Sequence, residues 1–147
     1  MQGATSAELA REFVALIHSF GVLRSDSTPC GQPMSVSSAH ALCELRARGA
    51  LSQRELAEQL GLKPSSVSRL LDQLEARTWT QRRPAPTDAD QRTNAVVLTN
   101  AGTTIADQVL AARSARFERL LECIPVEQQP NVISALRLLK EAANEVA

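Results

Sequence analysis

A mainly α-helical fold with one small β-ribbon is what this 147-residue sequence predicts, on three observations. Ala and Leu dominate while aromatics are scarce (three Phe, one Trp, no Tyr), which favours helices filled with aliphatic side chains. Apolar residues recur at helical spacing through most of the chain. Only around residues 78–98 does the pattern change to the β-branched and aromatic runs of short strands.

The elements follow in order. From Ala7 to Leu23, Leu9, Phe13, Leu16, Ile17 and Phe20 recur with helical period, and the turn-forming stretch SDSTPCGQP at 25–33 breaks the helix. A second helix is predicted from Ser35 to Arg48, with Val36, Ala39, Leu42, Cys43 and Leu45 inward, and Gly49 ends it. Ser52-Gln53-Arg54-Glu55 is a capping box that opens a short helix carrying Leu56, Ala57 and Leu60, stopped by Gly61. Pro64 then stands where a first helical residue often does. In the helix it opens, Val67, Leu70, Leu71 and Leu74 form a buried stripe, while Ser65, Ser66, Ser68, Arg69, Asp72 and Gln73 face outward. Thr78-Trp79-Thr80 and Ala95-Val96-Val97-Leu98 suit two strands, joined by the loop RRPAPTDADQR. Thr99 caps a long helix from about Ala101 to Cys123, Pro125 interrupts, and a last helix carries Val132, Ile133, Leu136, Leu139, Ala143 and Val146. The whole reads as a single domain, residues 1–147, with a core at about 35–99 between outer helices at about 5–24 and 101–146.

Composition narrows the function. No apolar run approaches the roughly 20 residues needed to span a bilayer, and the N-terminus has no basic segment followed by an apolar one, so a cytoplasmic protein without membrane partners is expected. Three widely spaced cysteines, Cys30, Cys43 and Cys123, suit reduced thiols better than a disulfide framework. The formal net charge is zero, but the stretch from Lys63 to Arg92 holds six basic and four acidic residues and is therefore locally positive. A Gly-rich phosphate loop, a nucleophile elbow and clustered acids with histidines are all missing, so no enzyme and no cofactor is expected.

A capped short helix, a tight Gly turn and a second amphipathic helix make a helix-turn-helix, and the ribbon after it makes a wing. The second helix fits a DNA major groove roughly 12 Å wide and presents its N-terminal side chains to base edges. These are Ser65, Ser66, Ser68 and Arg69, flanked by Lys63 and Gln73. Arg82, Arg83 and Arg92 in the hairpin suit the backbone or the minor groove. Each has a plainer reading: helix-start polarity for the serines, a surface pair with Asp72 or Gln73 for Arg69, and a solvated strand edge for the hairpin arginines.

SQRELAEQLGLKPSSVSRLLDQLEARTWTQRR, followed by DADQR and VVLTNAG, resembles the core of the MarR family of winged helix-turn-helix regulators over residues 52–102. The family's wing carries Asp-x-Arg, an apolar strand and Leu-Thr-x-x-Gly, matched here by Asp90, Arg92, Val96-Val97 and Leu98-Thr99-Asn100-Ala101-Gly102. The resemblance implies a homodimeric repressor, built by the N- and C-terminal helices, that reads an inverted-repeat operator in double-stranded DNA until a small effector releases it. It also implies that Arg92 is the wing-tip arginine and that Asp90 orients a neighbouring Arg by a charge-assisted hydrogen bond. Three positions depart from the pattern. Arg77-Thr78-Trp79 replaces the common Lys-Gly-Leu at the helix end, Lys63 replaces a Ser or Thr cap, and the wing is about two residues longer.

For an anionic or phenolic effector, Arg11 and His18 share a face of the first helix, with His40 on the next helix as a third group. Other classes stay open: a winged-helix module for protein contacts, which zero net charge suits, or a thiol-responsive regulator acting through Cys30. A metal-responsive one would use His40 and Cys43, three apart, but two ligands do not make a metal site, so no metal is expected.

Overall fold

The computed structural model describes residues 3–24, 26–84 and 94–147. Among them are six α-helices and three short strands: α1 (Ser6–Phe20), α2 (Val36–Arg48), β1 (Leu51–Ser52), α3 (Gln53–Leu60), α4 (Pro64–Ala76), β2 (Thr80–Pro84), β3 (Asn94–Leu98), α5 (Asn100–Glu122) and α6 (Gln129–Glu145). The chain divides into two compact units, Met1–Ala112 and Arg113–Ala147.

Local chemistry accounts for where the helices begin and end. Ser52 accepts from the Glu55 backbone N–H at 3.1 Å, and the Glu55 carboxylate accepts from the Ser52 N–H at 2.7 Å, the reciprocal box the sequence predicts. The Ser52 backbone N–H, and after it the Ser52 hydroxyl, hold the Glu55 carboxyl below its ordinary range. Thr5 and Glu8 form a second box at the start of α1, which sequence reading passed over although Thr-x-x-Glu is the same signature. Gly21, in the left-handed region, closes α1 at Phe20, three residues before the end that periodicity alone suggests.

The first unit is built around one aliphatic cluster. Leu42 and Leu45 of α2, Leu56 of α3, Val67, Leu71 and Leu74 of α4, and Val96 of β3 are all but completely buried. Removing one such Leu or Val from water contributes roughly 1.5–3 kcal/mol. Ala106 and Val109 bring the first half of α5 to the same cluster. An ion pair adds to this, with Arg46 of α2 donating to Asp107 of α5 at 2.8 Å.

The wing sheet has three strands rather than the expected two, in the order β1-β3-β2, all antiparallel. The extra strand is the two residues before α3: Leu51 lies opposite Val96 and buries its side chain in the core. Two residues are too short a run for periodicity to show. The expected strand start also moves. Thr78 has φ 61°, so Thr78 and Trp79 form the end of α4 instead of β2. The Thr78 N–H donates to the Glu75 carbonyl at 2.8 Å and the Trp79 N–H to the Leu74 carbonyl at 3.0 Å, the bond pattern of a Schellman motif. Thr78 thus occupies the left-handed position for which the family pattern uses Gly.

That helix end is joined to the start of α5. The Thr99 N–H donates to the Trp79 carbonyl at 3.0 Å, and the Thr99 hydroxyl donates to the Thr78 carbonyl at 2.5 Å and accepts from the Gly102 N–H at 3.0 Å. Gly102 is buried so close that a Cβ there would lie 1.8 Å from the Trp79 carbonyl oxygen. Only glycine permits that approach.

Candidate nucleic-acid interface

Helices α3 and α4 are joined by a tight turn in which Gly61 adopts φ 63°. Pro64 takes the first position of α4, where its missing N–H costs nothing, and Lys63 sits at the N-cap without a capping side-chain bond. The buried stripe of α4 (Val67, Leu70, Leu71, Leu74) is the predicted one. Its burial turns the opposite face outward.

On that face, Ser65, Ser66, Arg69 and Gln73 line one concavity of about 310 Å³ together with Leu62 and Ser37. All four predicted residues are exposed. Lys63 is exposed at the helix entrance but does not line the concavity, and Ser68 is half-buried to one side. Arg69 makes no ion pair among the described residues; Asp72, its neighbour three positions on, instead faces Arg82 at 3.4 Å. Its guanidinium therefore keeps five donors for another molecule. Ser37 is the residue sequence reasoning missed. It lies on α2, and its nearness to α4 is a product of packing that no local pattern carries.

The hairpin arginines separate. Arg82 is held by α4: its Nη1 donates to Glu75 Oε2 at 2.6 Å and its Nη2 lies 3.4 Å from Asp72 Oδ1. Arg83 points to the other face of the ribbon, where the Gln81 amide oxygen, with that amide turned to satisfy both groups, accepts from Arg83 Nη2 at 2.6 Å and Nε at 3.1 Å. Asp90 and Arg92 lie outside the described residues. Arg77 stacks over the Trp79 ring at 4.9 Å, a cation–π contact at the far end of α4.

The candidate effector groups sit on two helices, Arg11 and His18 on α1 and His40 on α2. Arg11 pairs with Glu12 at 3.2 Å, His40 with Glu44 at 3.5 Å, and His18 is exposed. A second concavity of about 600 Å³, between the start of α2 and the end of α4, is lined by Asp26, Met34, Ser38, Leu74 and Arg77 among others. Neither concavity is lined by Arg11, His18 or His40. Cys30, Cys43 and Cys123 form no disulfide among the described residues and are half-buried, buried and exposed in turn. No group of three or more His, Cys, Asp or Glu among the described residues is arranged to hold a metal ion.

Comparison with known proteins places this geometry. The MarR family model matches residues 34–89, from the start of α2 into the wing. The chain is 29% identical over 112 residues to the HTH-type transcriptional repressor MdtR of Bacillus subtilis (strain 168), covering 76% of this chain and 71% of that protein. Its fold is similar to that of Streptococcus pneumoniae FabT solved in complex with DNA, with TM-score 0.80 and 15% identity over 97% of this chain and 100% of that one. The PcaV transcriptional regulator from Streptomyces coelicolor, solved with its natural ligand, is similar with TM-score 0.69 and 18% identity, covering 97% and 99%.

Proposed function

We propose that this chain, whose residues 34–89 match the MarR family model, is a regulator of that family that binds double-stranded DNA as a homodimeric, sequence-specific repressor released by a small effector. Members of the family are transcription regulators and not enzymes. The observation that carries the reading is the outward face of α4, where Ser65, Ser66, Arg69 and Gln73 line one concavity and Arg69 is left without an acidic partner among the described residues. A helix presenting such a face can enter the major groove, with small hydroxyls close to phosphates and bases and a guanidinium that reaches a guanine edge with two donors.

The same reading assigns the rest of the molecule. Lys63 and Arg83 are phosphate-reaching cations at the helix entrance and on the ribbon, Ser68 borders the groove face, and Arg92 with Asp90 would extend the contact from the wing. Repression is supported by the name of the MdtR relative, and DNA and ligand binding by the FabT and PcaV neighbours.

Selection of duplexes from a random pool with the full chain, followed by binding across a salt series, tests it. The expected result is one enriched inverted repeat, bound in preference to random DNA. Arg69→Ala should relax preference at one position of each half-site, a loss of roughly 1–3 kcal/mol of discrimination. Arg92→Ala should weaken binding to all sequences and lower the salt slope by about 1. No enrichment from the pool would sink the proposal in favour of a winged helix used for protein contacts.

A further inference from the structure

We infer that Arg82 is a positioning residue: gripped by Glu75 and Asp72, it fixes strand β2 against recognition helix α4 and contacts no DNA phosphate. The inference rests on the DNA-binding reading above and reassigns one residue within it.

Strand geometry is the first argument. Side chains alternate along β2, so Arg82 shares a face with Thr80, which is 3% exposed. Its register partner on β3 is Val96, which is 1% exposed. The face that carries Arg82 is therefore the core face, turned towards α4, whereas Gln81 and Arg83 lie on the other.

Charge is the second argument. Two nitrogens of one guanidinium reach two carboxylates one helical turn apart on α4, at 2.6 Å and 3.4 Å. The side chains of Arg82 and Glu75 are only 28% and 31% exposed. A phosphate approaching Arg82 would meet two carboxylates around a single positive charge, and taking the guanidinium away would strand Glu75 half-buried and unpaired. The same pair acts at the middle of β2, whose five residues are all registered against β3. Holding that midpoint fixes β2 against α4.

The test compares Arg82→Ala, Arg82→Lys and Glu75→Gln with the parent, on the selected operator and on random DNA across a salt series. If Arg82 positions the ribbon, Arg82→Ala lowers the operator-to-random preference about tenfold, the size expected for a coupled pair, with the salt slope unchanged, and Arg82→Lys recovers part of it. Glu75→Gln should lower the preference too, although loss of a negative charge alone would tighten binding to any DNA. A slope reduced by about 0.9 in Arg82→Ala, with operator and random DNA weakened alike, would mark a phosphate contact and overturn the inference. So would tighter binding to both DNAs by Glu75→Gln. A DNA-free arm keeps the two readings separate: thermal unfolding of both single variants and the Arg82→Ala/Glu75→Gln double variant. Non-additive shifts in the midpoint support the clamp and additive ones refute it, including where the parent enriches no sequence and only the DNA-binding reading has failed.

Discussion

Thr78 holds φ 61° at the closing position of α4, and a β-branched side chain is among the least suited to that region. Its backbone is kept there by the two bonds that end the helix and by the Thr99 hydroxyl on its carbonyl. Replacing it by Gly removes the steric cost and keeps every one of those bonds. Thr78→Gly should therefore stabilise the fold by about 1 kcal/mol, read as a higher urea midpoint with an unchanged slope. Two residues on, the Thr80 hydroxyl is buried without a hydrogen-bond partner among the described residues. Thr80→Val keeps the β-branched shape and removes the orphaned polar atom, so it should also stabilise, again by about 1 kcal/mol. The first effect was visible in the chain, because Thr stands where the family pattern has Gly. The second was not: a Thr at a strand start reads the same whether its hydroxyl finds a partner or not. Arg82 belongs with the second kind. Alternation puts it on the face of Thr80, but which face of the ribbon meets α4 is settled by packing.

Among the elements, α3 was the most legible, because its start signal is chemical. Ser52 and Glu55 satisfy each other's backbone N–H, and the Ser52 N–H, followed by the Ser52 hydroxyl, lowers the Glu55 carboxyl. A carboxyl lowered by folding adds stability above its unfolded value, near 4.3, and that stability is lost as pH falls through the lowered folded value. Glu55→Gln should thus flatten part of the acid limb: its melting temperature should drop less than the parent's between about pH 7 and pH 3. An equal drop in both proteins would mean that the box contributes nothing to acid sensitivity. Boundaries set by long-range packing were less readable. Strand β1 exists because Leu51 finds Val96 about 45 residues later, and the α4 end is held by Thr99 and Gly102, about twenty residues on.

At the scale of the whole molecule, the notable quantity is apolar surface that the described residues leave uncovered. In α1, Leu9, Phe13, Val14 and Leu16 are 46–55% exposed, and no residue of α1 or α6 is buried. In α6, Val132, Ile133 and Leu136 are 38–53% exposed. Apolar stripes of this kind suit an interaction site, and the proposed homodimer is the occupant we assign to them. Leu136→Glu should shift the chain towards monomer in sedimentation and weaken operator binding, while the first unit keeps its helical signal. A variant that stays dimeric would place the dimer contact elsewhere. These stripes were fully legible as helical periodicity. What periodicity does not carry is whether a stripe is covered from within the chain or from outside, because both demand the same spacing.

The contact between Gly102 and the Trp79 carbonyl joins the first turn of α5 to the end of α4, backbone against backbone. Most helix junctions meet through side chains, whose rotamers take up small displacements before the backbones feel them. This one has no such cushion, and the Thr99 bonds close off sliding in the remaining direction. A shift of the first turn of α5 would therefore press on the backbone at the end of α4 directly, with no side chain between them.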